Sequence, residues 1–221
     1  QYIGDYAIKA GYKFDKPTFS SGKKVAIIGG GPAGLAAAYQ LMKKGHKCSI
    51  FDEHELLGGM LRYGIPGFRT PRDVLDAEIQ RIVDMGLEVH LNTRIGRDIT
   101  LEQLEKDFDA VFVGLGAQSG RPLPVAGADA PNVVTTMAFL KAFNDGRMKH
   151  VGKRVVVIGG GDVSIDVATV ARRLGHIQQV RDTDRPEYVI AGQVAHDVAE
   201  ISAKQGAEVI LTAVMSFEKM E

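Results

Sequence analysis

The chain has 221 residues with 45% hydrophobic and 24% charged content, the balance of a soluble globular protein of one large domain or two small ones. Lys plus Arg equal Asp plus Glu at 27 each, so a formal net charge of zero gives no electrostatic reason to expect nucleic acid or an anionic membrane as partner. No apolar run approaches the ~18 residues of a membrane span, and the N-terminus lacks a charged-then-apolar export pattern, so a cytoplasmic location is expected. The single cysteine, Cys48, excludes an internal disulfide, a Cys-x-x-Cys pair and a cysteine-ligated metal or iron-sulfur site within the chain.

Residues 1–24 read as a polar approach segment, with a helical turn over Gly4–Lys9 and a linker around Lys16-Pro17 and Ser20-Ser21-Gly22. An apolar strand, Val25–Ile28, then runs into Gly29-Gly30-Gly31-Pro32-Ala33-Gly34 and a helix over Ala33–Lys44. Gly45 stops that helix, and a strand over Lys47–Asp52 completes a strand-helix-strand unit, for which a parallel sheet is expected. A helix over Pro71–Met85, a strand over Leu87–Asn92, a short helix over Leu101–Asp107 and an apolar strand over Ala110–Gly114 follow. Residues 118–150 carry Pro122, Pro124, Gly127 and Pro131 ahead of a helix around Ala138–Asn144 and read as a connector.

The opening pattern then recurs. Strand Arg154–Ile158 meets Gly159-Gly160-Gly161-Asp162-Val163-Ser164 and a helix over Val163–Leu174, stopped by Gly175. Beyond it come a turn at Asp182–Pro186, an amphipathic helix over Ala191–Gln205 and a strand over Glu208–Val214. Only about two strands are legible in this second unit, so the chain reads as a fragment cut inside a domain. The fold class is α/β: two Rossmann-like three-layer dinucleotide-binding units with parallel sheets, the second truncated. The expected organisation is 1–24 approach segment, 25–125 first nucleotide-binding domain, 126–150 connector and 151–221 second, incomplete nucleotide-binding domain.

In G-x-G-x-x-G, Gly29 permits a tight turn, Gly31 lets a pyrophosphate approach the backbone, and Gly34 lets helix and strand pack closely. Pro32 and Ala33 open the helix, whose unpaired N–H groups and dipole favour phosphate. Asp52 stands about 20 residues on, where an acid hydrogen-bonds the adenosine ribose. Glu53 is its rival, because side chains alternate along a strand and one of the pair faces the ligand; Asp52 is preferred. The second turn keeps Gly159 and Gly161 but has Ser164 in third place. Asp162 is expected as the N-cap of its helix, although it brings negative charge near a phosphate site, and Val163 follows it. Cys48 falls inside a strand and is expected in the core. The six histidines show no metal spacing, and a hydride-transfer site needs no protein base because cofactors supply the reactive atoms.

With these residues the chain resembles the small (beta) subunit of glutamate synthase and its flavoprotein relatives, along most of its length. The resemblance rests on Gly29–Gly34, on Gly58-Gly59-Met60-Leu61-Arg62-Tyr63-Gly64-Ile65-Pro66-Gly67-Phe68-Arg69, on Gly114–Ala117 and on Gly159–Asp162; the Gly58–Arg69 run is its specific part. It implies an FAD-dependent NAD(P)H oxidoreductase, with FAD at the first turn and a nicotinamide dinucleotide at the second. Asp52 is then a ribose ligand, Gly59 and Met60 the loop beside the flavin phosphates, Arg69 a further FAD contact, Ile95 a backbone contact on the adenine side and Gly116 a close approach. It also implies that the last part of the FAD domain returns after the nicotinamide domain, and that the iron-sulfur clusters lie in segments outside this chain. The implied partner is a larger catalytic subunit or an iron-sulfur electron acceptor.

Two departures from the family stand out. The stretch 176–206 is longer than the family's turn, and Val214 and Met215 stand where the family carries two arginines suited to a 2′-phosphate. NADH is therefore expected over NADPH at the second site. Asp182 and Asp184 are alternative ribose ligands there. A long stretch of this kind also resembles the branch serving dissimilatory sulfite reductase, so an NADH-linked iron-sulfur flavoprotein of sulfur metabolism is an alternative. A non-catalytic nucleotide-binding module and a flavin-free NAD dehydrogenase are further readings; the Gly58–Arg69 run argues against the last.

Overall fold

A computed structural model describes residues 2–152, 154–175, 188–191 and 208–212. The elements run α1 (Tyr2–Lys9), β1 (Lys24–Ile28), α2 (Pro32–Lys43), β2 (Lys47–Phe51), α3 (Met60–Tyr63), α4 (Arg72–Val83), β3 (Glu88–His90), α5 (Leu101–Asp107) and β4 (Ala110–Val113). They continue as β5 (Val133–Thr135), α6 (Thr136–Asn144), β6 (Arg154–Ile158), α7 (Asp162–Gly175), β7 (Tyr188–Ala191) and β8 (Glu208–Thr212). The chain divides into two units, one made of 1–62 and 67–117, the other of 63–66 and 118–221.

The first unit is built on a four-stranded sheet of order β3-β2-β1-β4, with every pair parallel. The unbroken apolar run of β1 follows from burial on both faces. Val25 and Ile27 join Cys48, Ile50, Leu35 and Ile79 on one side, while Ala26 and Ile28 join Phe51 and Leu104 on the other. Successive side chains point to opposite faces, so one strand serves two cores. Helix α2 crosses β1, β2 and β4 and packs on α4, whereas α5 lies against β4. The turn to β2 is closed by Gly45 (φ +75°), whose N–H donates to Met42 O at 2.8 Å. Among the described residues β4 has a strand neighbour on one side only, so Phe112, Val113 and the following Leu115 are exposed despite their apolar character.

The second unit holds a four-stranded parallel sheet, order β5-β7-β6-β8, where the sequence showed about two strands. Both extra strands were hidden for identifiable reasons. β5 and α6 lie in the stretch expected to be a connector; a three-residue strand behind a proline-rich loop leaves little periodicity. β7 lies inside 176–206, and its last residue, Ala191, is where a helix was expected to begin. The rest of that helix, and the turn at 182–186, lie outside the described residues. α7 packs across β6 and β8, and α6 lies beside α7 over β5 and β7. Phe139, Leu140, Val155, Val157, Val167 and Val170 form the core between them. Segment 63–66 belongs to this unit through Asn144, whose Nδ2 donates to the carbonyls of Tyr63 (3.0 Å) and Ile65 (3.2 Å).

Cys48 lies in the core with no exposed surface, and burial pushes its thiol up to about 11. Because the folded thiol is the weaker acid, its contribution to stability is intact below the ordinary thiol range and is lost as pH rises toward 11. We expect no reaction with a water-soluble disulfide reagent at neutral pH until denaturant is added. The urea midpoint of the wild type is expected to fall above about pH 9, with a shallower fall in Cys48→Ala.

Candidate functional site

The first glycine turn is shaped by backbone-to-backbone contact. Gly29 has φ +104°, a conformation that side chains resist, and its N–H donates to Phe51 O at 2.8 Å. A Cβ at Gly29 would strike the carbonyl of Gly114 at the end of β4, and one at Gly34 would strike the carbonyl of Gly29. Gly31 caps α2 in extended conformation (ψ −173°) and its carbonyl accepts the Leu35 N–H at 3.0 Å. Pro32 and Ala33 are exposed at the helix start, and no acidic residue lies in that first turn. An uncharged helix N-terminus with free N–H groups behind a glycine turn is a geometry suited to phosphate.

The segment after β2 closes over this turn. Gly58 N–H donates to Gly30 O at 2.8 Å, and a Cβ on Gly59 (φ +50°) would come within 2.6 Å of Gly31 Cα. Met60 then opens α3, a one-turn helix where the resemblance implies a loop. Two arginines fix it. Buried Arg62 donates from Nε to Leu57 O at 2.6 Å and pairs with Asp76. Arg72 donates to the carbonyls of Leu61 (2.9 Å) and Arg62 (2.6 Å), orphan carbonyls of α3, and to that of Thr70 (3.1 Å) on the loop before α4. Its burial, then the neighbouring Arg62 charge, lower the Arg72 pKa from its ordinary value. The resemblance points to Arg69 and to neither of these two. The available signal was an arginine on either side of an apolar Gly-Ile-Pro loop with carbonyls to satisfy.

Asp52 follows β2 and is buried beside the turn, its Oδ2 accepting the Gly30 N–H at 2.6 Å. Glu53 is exposed and lies 3.6 Å from Arg94. Arg69 is exposed on the loop before α4. Ile95 bridges to Ile99 and packs on the Phe51–Leu104 cluster. Gly116 has φ +67° with open space where a Cβ would stand, and the close backbone approach at this end of β4 is made by Gly114.

The second turn repeats the first. Gly159 has φ +127°, and Gly161 O accepts N–H groups from Ser164 (2.7 Å) and Ile165 (3.1 Å). Because its carbonyl takes these first helical N–H groups, Gly161 stands in the capping place expected for Asp162, and Asp162 is instead the first helical residue. Asp162 and Val163 are exposed, like Pro32 and Ala33, and Ser164 is fully buried, like Gly34. Ile158 pairs with Ala191 on one side and Thr212 on the other. In the first unit Ile28 pairs with Phe51, and Asp52 follows. The residues that follow in the second unit are Gly192 and Ala213, so neither flanking strand is succeeded by an acid. Asp182, Asp184, Val214 and Met215 lie outside the described residues. No His/Cys/Asp/Glu group that could hold a metal occurs among the described residues, and no described helix is long and apolar enough to cross a membrane.

The glycine contacts set a graded expectation. Gly34→Ala is expected to lower the unfolding free energy by about 2–4 kcal/mol, because a carbonyl blocks the new methyl. Gly116→Ala, with strain but no obstruction, is expected to cost about 1 kcal/mol. Urea denaturation of both measures the difference; equal costs contradict the packing described.

Comparison with known proteins shows the family. The pattern of the pyridine nucleotide-disulphide oxidoreductase family matches residues 23–220. The chain is 47% identical over 159 residues to the NADP(+)-dependent formate dehydrogenase subunit beta of Moorella thermoacetica, covering 71% of this chain and 22% of that one. It is 40% identical to the glutamate synthase [NADPH] small chain of Escherichia coli, covering 79% and 40%. It is 43% identical to the NADPH-Fe(3+) oxidoreductase subunit beta of Geobacter sulfurreducens, covering 72% and 25%. The chain thus spans between about a fifth and two fifths of the length of these relatives. In fold it is similar to FprA of Mycobacterium tuberculosis in complex with NADPH, with TM-score 0.66 at 24% identity over 77% of this chain and 43% of that one. The chain belongs to the pyridine nucleotide-disulphide oxidoreductase family, and among its relatives there are the glutamate synthase small chains that the Gly58–Arg69 run resembles.

Proposed function

We propose that this chain is the dinucleotide-binding part of an FAD-containing oxidoreductase that passes electrons between NAD(P)H and an iron-sulfur partner. One observation carries the reading: the glycine turn at 29–34 has an uncharged helix start, close backbone packing and a covering loop at 58–60. These features fit a diphosphate. Gly31 and Ala33 would hold it at the start of α2, with Gly29, Pro32 and Gly34 shaping the turn and Gly59 and Met60 closing beside it. Asp52 and Glu53 stand at the ribose position, Arg69 and Ile95 supply outer contacts, and the open space at Gly116 leaves room for the nucleotide. When bound, FAD supplies the redox chemistry, linking two-electron to one-electron transfer. The chain's own residues bind and orient it.

The second turn, with Gly159, Gly161, Asp162 and Val163, would take the nicotinamide dinucleotide. Val214 and Met215 offer no cation to a 2′-phosphate, nor do Gly192 and Ala213. We therefore assign NADH to this site, although the relatives are named for NADPH and NADP. The names of those relatives cover formate, glutamate and Fe(3+) chemistry, so the final acceptor is set by parts beyond these two turns. We place 25–125 as the FAD domain and 151–221 as the nicotinamide domain, the latter drawing β5 and α6 from 126–150. The exposed apolar edge of β4, with Phe112, Val113 and Leu115, is suited to pairing with a further strand. A larger subunit or an iron-sulfur protein is the proposed partner.

Two measurements test the reading. The purified protein is expected to quench the fluorescence of added FAD, and Gly59→Ala to weaken that binding about tenfold or more while leaving dinucleotide binding at the second turn unchanged. A protein that leaves FAD fluorescence unaltered contradicts the proposal. Calorimetric titration is expected to show NADH binding about tenfold more tightly than NADPH, the loss of roughly one charge-assisted contact. An NADPH preference overturns the cofactor assignment.

A further inference from the structure

The covering loop has little of its own to keep it shut. Gly58 and Gly59 both have positive φ (+122° and +50°) and carry no side chain to anchor them, so the pair can act as a hinge. α3 is a single turn, too short to be stable by itself. Leu61 N–H donates to Gly58 O at 3.1 Å and Arg62 N–H to Gly59 O at 3.0 Å, bonds that shape the turn without tying it down. The hold comes from α4, which Leu75 and Ile79 seat in the core. Arg72 is the first residue of α4 and reaches into the loop. Its Nη1 donates to Leu61 O and Thr70 O and its Nη2 to Arg62 O, while its Cζ lies 3.9 Å from where a Cβ of Gly67 would stand. One planar group therefore joins the two limbs of the loop. The place is a costly one for a cation. The start of a helix is its positive end. Burial and then the charge of Arg62 hold the Arg72 pKa below its ordinary value, and Asp76, which pairs with Arg62, offsets only part of this. A residue that breaks a local rule and is held there by specific bonds marks a functional place.

We infer that Arg72 is a positioning residue for the flavin nucleotide, which holds the covering loop closed over the first glycine turn from the start of α4 and thereby slows the release of FAD. The inference rests on the assignment of the first turn to FAD. Closed, the loop brings Gly59 against Gly31 at the start of α2, and Gly58 N–H donates to Gly30 O. To swing out at the glycine pair, α3 must give up its carbonyl bonds to Arg72 together, because the guanidinium is rigid and planar. A lysine at 72 offers its donors at one point and cannot span both limbs.

The test is stopped-flow flavin fluorescence, which reads FAD association and release separately, with amide hydrogen exchange of the ligand-free protein beside it. The proteins compared are the wild type, Arg72→Met, Arg72→Lys, Gly59→Ala and the double variant Gly59→Ala/Arg72→Met. Arg72→Met is expected to speed FAD release about tenfold and to leave association within about twofold of the wild type. Arg72→Lys is expected to speed release about threefold, since part of the donor set remains. Gly59→Ala already lifts the loop from Gly31, so Arg72→Met is expected to add nothing in that background; two replacements that act through one loop do not add. Without ligand, the amides of Leu61 and Arg62 are expected to exchange faster in Arg72→Met. Release from Arg72→Met at the wild-type rate overturns the inference, as do fully additive effects of Gly59→Ala and Arg72→Met, the pattern of a general loss of structure. Where Arg72→Met does not fold, Arg72→Lys decides: release as slow as that of the wild type overturns it. A wild type that binds no FAD overturns the FAD assignment itself, and unchanged exchange at Leu61 and Arg62 overturns the hold of Arg72 on the loop, so the two failures are distinct.

Discussion

The structure depends on close approach of main chain to main chain at the first glycine turn. Gly29 touches Gly114, Gly34 touches Gly29, and Gly59 touches Gly31. These contacts bring the C-terminal ends of β1 and β4, the start of α2 and the covering loop into one place. A single methyl at any of the three would force backbone apart, and backbone cannot rotate away as a side chain can. The rest of the first unit follows from that constraint. α2 can lie low on β1 and β2, which lets Leu35 and Ala38 reach Ile27 and Ile50 in the core. The N–H groups at the start of α2 then emerge beside the turn, where a phosphate can use them.

The two units share this device and differ in what surrounds it. Each has a positive-φ first glycine, a second glycine capping the helix and a small buried residue in third place, Gly34 or Ser164. Both sheets are parallel and four-stranded, and each turn lies at the C-terminal end of a strand with neighbours on both sides. In open parallel sheets that is where nucleotides bind. The difference is electrostatic. The first turn has an uncharged helix start with an acid at the end of the flanking strand. The second has an acid at the helix start and none after either flanking strand. Two turns of one geometry therefore differ in the charge that surrounds them.

Much of this was legible in the sequence because it is local. The apolar runs at 25–28 and 154–158, the glycine turns and the helices stopped by glycine are properties of short windows, and they were read to within a residue or two. Leu101–Asp107 has the ends expected for it, and Thr100 fixes its start, its hydroxyl accepting the Gln103 N–H at 3.2 Å. What was not legible depends on distant partners. β5 is three residues long and exists through pairing with β7, far along the chain. The apolar run of β4 signals burial, yet its exposure is decided by what lies beyond the edge of the sheet. At the site, the resemblance singled out Arg69, whereas Arg62 and Arg72 hold the covering loop through backbone carbonyls, contacts that carry no residue pattern. Asp52 was identified by position, but the donors that take up its oxygens are visible only once Gly30 and His54 are folded against it.

The central claim is that the turn at 29–34, with its covering loop, is one preformed cradle for the diphosphate of FAD. Amide hydrogen exchange measured with and without FAD tests it most directly. The account predicts added protection at Gly31 and Ala33–Leu35 and across 58–60, with the equivalent amides at 161–165 unchanged. Exchange at 31–35 that is indifferent to FAD, or protection that appears at 161–165 instead, would contradict it.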